Sequence, residues 1–174
     1  MSIDELVSVV APPAQRTTGE IAWHAVESQL NSALPLDYKQ LVSRYGPGYF
    51  SKFIHIYQPS NDLSAIDLVT QAGESLWALK YLRDDGESMP YRLDDPAELL
   101  SFGRTDNGDV MFWHRIDPDT PDTWPVLVKE PRGEEWSRFE VGVCEFLADV
   151  LTRRVTVSVF PERFPSMDPV FEPY

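Results

Sequence analysis

Apolar residues recur at helical spacing in four stretches of this chain, and between those stretches the pattern changes to strand-like alternation. Trp23, Val26, Leu30 and Leu34 follow at intervals of three and four. Thr17, with Glu20 three residues later, has the form of a capping box, so the spacing predicts a first helix from about residue 17 with one buried stripe. LPLDYKQLVSRYGPGYF, residues 34–50, then holds a complete helix with its punctuation. Pro35 suits the start, because its missing N–H costs nothing there. Tyr38, Leu41, Val42 and Tyr45 repeat as i, i+3, i+4, i+7, Gly46 takes the cap and Pro47 forbids continuation.

GYFSKFIHIYQP next reads as one strand, with Phe50, Ile54 and Ile56 on one face and Phe53, His55 and Tyr57 on the other. From Ser60 helical spacing returns, placing Ile66, Val69, Gly73, Leu76, Trp77 and Lys80 near one side until Gly86 ends it. LLSFGRTDNGDVMFWHRI predicts a hairpin around Asn107-Gly108, with Gly103 to Asp106 allowing a longer loop or a bulge. WPVLVKE and EEWSRFE, split by Pro131, Arg132 and Gly133, predict a second strand pair. Val143, Phe146, Leu147, Val150 and Leu151 form the stripe of a last helix, with Arg153-Arg154 at its negative end.

This order favours an α+β fold, a mixed or mostly antiparallel sheet flanked by helices, over the βαβ alternation of a nucleotide-binding sheet. Residues 1–16 show no sustained period and read as an extended or loosely docked arm. Residues 17–154 read as one domain. Residues 155–174 form a C-terminal extension, strand-like over 155–160 and rich in proline, that packs along the surface or reaches a partner.

Composition narrows the class. With 174 residues, 43% hydrophobic, the chain has apolar surface enough for a core and is not a disordered sequence. The start lacks a basic n-region and no apolar run approaches the roughly 18 residues of a membrane span, so a soluble, cytoplasmic protein without membrane contact is expected. The single cysteine, Cys144, lies among apolar residues of the last helix and reads as a buried inert thiol.

Net charge is −13, and the middle third carries most of it: residues 61–123 hold five Lys or Arg against fourteen Asp or Glu. A field of that sign repels nucleic acid and anionic membranes and favours basic partners. Direct nucleic-acid binding is thereby rejected, since Arg16, Lys39, Arg44 and Lys52 are also too dispersed for a phosphate-tracking stripe.

No catalytic constellation emerges. His24, His55 and His114 have no second His or Cys at ligand spacing, so no metal is expected. Gly-x-Ser-x-Gly, Gly-x-x-x-x-Gly-Lys and Gly-x-Gly-x-x-Gly are all missing, and no cofactor is expected. Asp106-Asn107-Gly108-Asp109 has no later bidentate Glu at calcium-loop spacing and is better read as a turn. Asp84-Asp85, Asp94-Asp95 and Glu134-Glu135 sit among Gly, Ser, Pro and Arg and read as solvated loops rather than an acid–base pair. Trp113-His114-Arg115, Trp124 and Trp136 read as core aromatics of strands.

Leu34-Pro35-Leu36-Asp37-Tyr38 through Tyr45-Gly46 resembles the Leu-Pro-x-(Asp/Glu)-(Tyr/Phe) signature of the SUKH superfamily, the Smi/Knr-like proteins. Phe102-Gly103 followed by Gly108-Asp109 and Phe112-Trp113 is similar to its second landmark. The likeness spans about residues 17–154. One departure is the last helix, which follows Glu140-Val141-Gly142 rather than a Ser or Thr cap. The resemblance implies a noncatalytic scaffold used in bacteria as an immunity protein against toxins of polymorphic or contact-dependent systems.

A protein toxin domain, with a basic nuclease as one candidate, is then the expected partner. Asp84, Asp85, Glu87, Asp94 and Asp95 are the candidate contact residues, because an acidic face complements a basic groove. Two rival readings are an intracellular regulatory or scaffold adaptor for endogenous proteins, and a hydrolase using paired carboxylates or His114.

Overall fold

The structure is a computed structural model that describes residues 3–14, 19–59, 62–91, 93, 95–165 and 168–174. Five α-helices occur among these residues: α1 (Ile3–Val9), α2 (Trp23–Leu30), α3 (Leu36–Tyr45), α4 (Leu68–Asp84) and α5 (Val143–Leu151). The strands are β1 (Gly48–Phe50), β2 (Ile54–Ile56), β3 (Leu99–Thr105), β4 (Val110–His114), β5 (Val126–Lys129), β6 (Trp136–Phe139) and β7 (Phe171–Pro173). They form one sheet in the order β6-β5-β4-β3-β2-β1-β7, and each neighbouring pair is antiparallel. The fold is α+β, as the order of sequence elements implies.

Alternation along the strands sends side chains to both faces of the sheet. Met111, Trp113, Val126 and Val128 join the large core beneath α1, α3 and α5. Their neighbours Phe112 and Leu127 join a smaller cluster with Leu79 of α4, Leu93 and Leu99. Helices therefore cover both faces, and the central strands are buried on each.

The α3 segment behaves as its sequence dictates. Pro35 stands at the N-cap, Tyr38, Leu41, Val42 and Tyr45 are buried, and Gly46 takes a φ of 69° after the last turn. The two buried tyrosines also satisfy distant backbone: Tyr38 Oη donates to the Tyr57 carbonyl at 2.6 Å and Tyr45 Oη to the Val10 carbonyl at 2.7 Å. The β3–β4 hairpin forms with a loop around Gly108, whose φ is 91°, and the irregularity falls inside the strand between Ser101 and Gly103. The stripe of α5 is buried as expected.

Several expectations need correction. The chain start, read as an extended or loosely docked arm, forms α1, with Ile3, Leu6 and Val10 buried in the large core. Their i, i+3, i+7 spacing is helical, but the helix is too short for the pattern to stand out beside Val7 and Val9. Thr17 of the expected capping box lies outside the described residues, and α2 begins at Trp23 with Ala22 as an N-cap that makes no side-chain bond. The single strand expected over GYFSKFIHIYQP is a hairpin of β1 and β2. Ser51 and Lys52 turn it with φ of 49° and 55°, a conformation usually signalled by Asn or Gly.

The helix expected from Ser60 starts at Leu68, where the Asp67 carboxylate accepts the Thr70 N–H at 2.9 Å. It runs unbroken through Gly73. Its buried residues are Leu68, Ala72 and Leu79, so Trp77, placed by the sequence reading near the inner side, lies on the outer one. In the C-terminal extension, residues 155–160 form no strand, although Val157 and Phe160 are buried; the strand is β7, paired with β1.

Candidate functional site

Several acidic side chains in the middle third serve the fold. Asp67 caps α4. Asp95 caps the short turn Pro96–Glu98 by accepting from the Ala97 N–H at 2.9 Å, while Glu98 Oε1 accepts the Asp95 N–H at 3.3 Å. Asp117 closes its own loop by accepting from Asp119 N–H and Thr120 Oγ1. Asp122 Oδ1 accepts the Leu36 N–H at 2.6 Å and so serves the start of α3 from 86 residues away. Asp109 is buried and accepts from Thr105 Oγ1 at 2.6 Å, and burial raises its pKa above the usual carboxylate range.

This sorting separates the candidate contact residues. Glu87 forms an ion pair with Lys129 at 3.0 Å in a largely buried position. Asp95 is occupied as a cap, and Asp94 lies outside the described residues. Asp84 and Asp85 remain together and exposed at the C-terminal end of α4, with Arg83 3.3 Å from Asp84. An exposed pair of that kind contributes little to stability.

The same outer face of α4 carries residues that the sequence reading missed. Trp77 is 70% exposed and Tyr81 61% exposed, and their rings stack with centroids 5.9 Å apart and planes 20° from parallel. They stand four positions apart and so share a helix face. Glu74 and Asp84 lie on that face before and after the pair, and Lys80 lies at its side. The legible signal was the complementary stripe: Leu68, Ala72 and Leu79 fix the buried side, which leaves Trp77 opposite.

The histidines occupy separate places. His24 is exposed on α2. His55 meets the Tyr174 hydroxyl through Nδ1, and its Nε2 lies 2.6 Å from Asp106 Oδ1. Burial first, then nearby acids, raise the Tyr174 pKa, so its hydroxyl stays protonated and ties the last residue to the sheet rather than acting as a phenolate. His114 accepts from Arg138 Nη1 through Nδ1 at 2.7 Å, with Glu98 3.4 Å from Nε2; burial lowers its pKa and favours the neutral ring.

Among the described residues no group of three or more His, Cys, Asp or Glu is placed to hold a metal ion. Among the described residues, no helix is long and apolar enough to cross a membrane. Cys144 is buried, and burial pushes its thiol pKa well up, which suppresses the nucleophilic thiolate. A groove of about 300 Å³ beside α5, lined by Val150, Val157, Phe160 and Phe164, contains none of the candidate contact residues.

The signature around Leu34 to Gly46 is architectural in this geometry. Asp37 Oδ2 accepts the Cys144 N–H at 3.1 Å, which supplies α5 with the cap missing from its own sequence. A family model described as SMI1-KNR4 cell-wall matches residues 20–147, more than half of the chain. No curated protein and no solved structure matches it.

Proposed function

Because this chain belongs to the SMI1-KNR4 family of the SUKH superfamily, we propose that it is a noncatalytic immunity protein that binds and neutralises a cognate bacterial toxin domain. The observation that carries this reading is the family match over residues 20–147. The surface agrees with it: Asp84 and Asp85 stand exposed at the end of α4, and the chain's net charge of −13 steers a basic domain toward it. A nuclease is the first candidate toxin, since its substrate groove must itself be basic to hold phosphates. The complex forms in the cytoplasm, and the immunity protein acts by covering the toxin's surface and makes no contact with nucleic acid.

The test is protection. A candidate basic nuclease toxin domain is expressed in a susceptible host with and without the chain, and growth and complex formation are followed. Growth rescued together with a stable one-to-one complex is the expected result. Lack of both rescue and binding, with the chain folded, overturns it.

Membership of the family also supports a second reading, an adaptor for endogenous proteins. It predicts nontoxic partners and no rescue.

A further inference from the structure

Gly73 stands in the middle of α4, where glycine is less favourable than alanine in a helix. A Cβ built on it meets nothing within 4 Å, so no neighbour inside the chain requires a bare backbone there. Gly73 lies one turn before Trp77 on the exposed face of the helix. A large exposed aromatic pair, already ordered by mutual stacking, presents contact area at small entropic cost to a binding event. Bare backbone beside such a pair lets a partner approach closely.

The charges around the pair indicate the partner's chemistry. Glu74 precedes it and Asp84 follows it on the same face, with Asp85 next in the chain. Lys80 is the flanking cation, and Arg83 turns toward Asp84. An aromatic platform between carboxylates matches a guanidinium, which stacks its plane on a ring and directs its N–H fork to a carboxylate. The same carboxylates oppose phosphate and anionic headgroups.

We propose that the outer face of α4 from Gly73 to Asp84, centred on the stacked Trp77–Tyr81 pair, docks a basic protein domain that lays an arginine on the rings and closes against Gly73. The toxin as source of that domain rests on the function proposed above; the face and the cationic chemistry rest on α4 itself.

The experiment places a photocrosslinking residue on the full chain in its native host, as Lys80→p-benzoylphenylalanine beside the pair and as Ile116→p-benzoylphenylalanine at an exposed position on the loop after β4. The crosslinked protein is identified, and its purified domain is titrated against variants. The expected result is a crosslink from position 80 to a domain of net positive charge, with affinity at least about tenfold weaker for Trp77→Ala/Tyr81→Ala. Gly73→Ala, which strengthens the helix, is expected to weaken binding several-fold, so that loss cannot arise from unfolding.

A domain captured from position 116 and not from position 80, or affinity unchanged in both variants, overturns the face while leaving toxin neutralisation standing. A basic domain captured from position 80 that has no toxicity sustains the face and removes the toxin. A second copy of this chain captured from position 80 overturns the partner.

Discussion

Asp37 on α3 and Cys144 on α5 are 107 residues apart in the chain, yet the Asp37 carboxylate accepts the Cys144 backbone N–H at 3.1 Å. The first turn of α5 has N–H groups without helical partners, and Gly142 provides no side chain to satisfy them. Asp37 provides the acceptor from another helix. Its own helix is served in turn by Asp122, whose carboxylate accepts the Leu36 N–H. Three distant segments are thus fixed by two carboxylates.

Asp37→Ala is expected to destabilise the protein by about 1–2 kcal/mol, the magnitude of a lost cap. Asp37→Asn retains an oxygen acceptor and should recover most of the loss. Urea unfolding at pH 7 by circular dichroism measures both. Burial raises the Asp37 pKa above its usual value, so the folded state holds this proton more tightly than the unfolded chain. The carboxylate's burial penalty is present above the folded pKa and is relieved as pH falls through it, a dependence that Asp37→Asn removes.

Gly142→Ala should disturb the same contact, because a Cβ there would lie 2.6 Å from Asp37 Oδ2. Once Asp37 is alanine, the added methyl meets less obstruction. The double variant is therefore expected to be more stable than the sum of the single losses predicts, with a coupling of about 1 kcal/mol in a double-mutant cycle.

His114 predicts a loss of stability in weak acid. Burial lowers its folded pKa below 6.5, and Arg138 donates to the ring nitrogen that protonation would block. The unfolded chain takes up the proton first as pH falls below 6.5. Stability present above that value is lost down to the folded pKa, with a slope of up to about 1.4 kcal/mol per pH unit. His114→Gln should flatten the thermal stability profile across that window.

Tyr38→Phe removes the hydroxyl that donates to the Tyr57 carbonyl at 2.6 Å inside the large core. The expected cost is about 1–2 kcal/mol, because a buried acceptor loses its donor while ring packing survives. Chemical denaturation followed by tryptophan fluorescence checks it, since Trp113 packs edge-on against Tyr38 with centroids 5.0 Å apart.

Elements whose signals are local were legible in the sequence. The stop at Gly46, the hairpin at Gly108 and the stripe of α5 each depend on residues within a few positions. The β1–β2 turn was hidden because Ser51 and Lys52 adopt positive φ without the usual residue types. The caps from Asp37 and Asp122 span 107 and 86 residues and leave no local trace. The charge count of residues 61–123 was correct, but Asp67, Asp95 and Asp122 act as caps and Glu87 as an ion-pair partner, so composition overstated the acidic surface. The spacing that groups Trp77 with Ile66, Val69 and Leu76 does not describe the buried stripe, since Leu68, Ala72 and Leu79 define the inner side and leave Trp77 opposite.

Beyond β1 the sheet continues into β7, where Phe171 packs edge-on against Phe50 and Tyr45 while Glu172 and Pro173 complete the strand. An outermost strand normally offers open amides to any passing chain of similar kind. Here the last position is a proline with no amide to offer, and the strand is only three residues long. The short strand acts as a selvedge: it prevents β1 from becoming a template on which copies could accumulate into fibres.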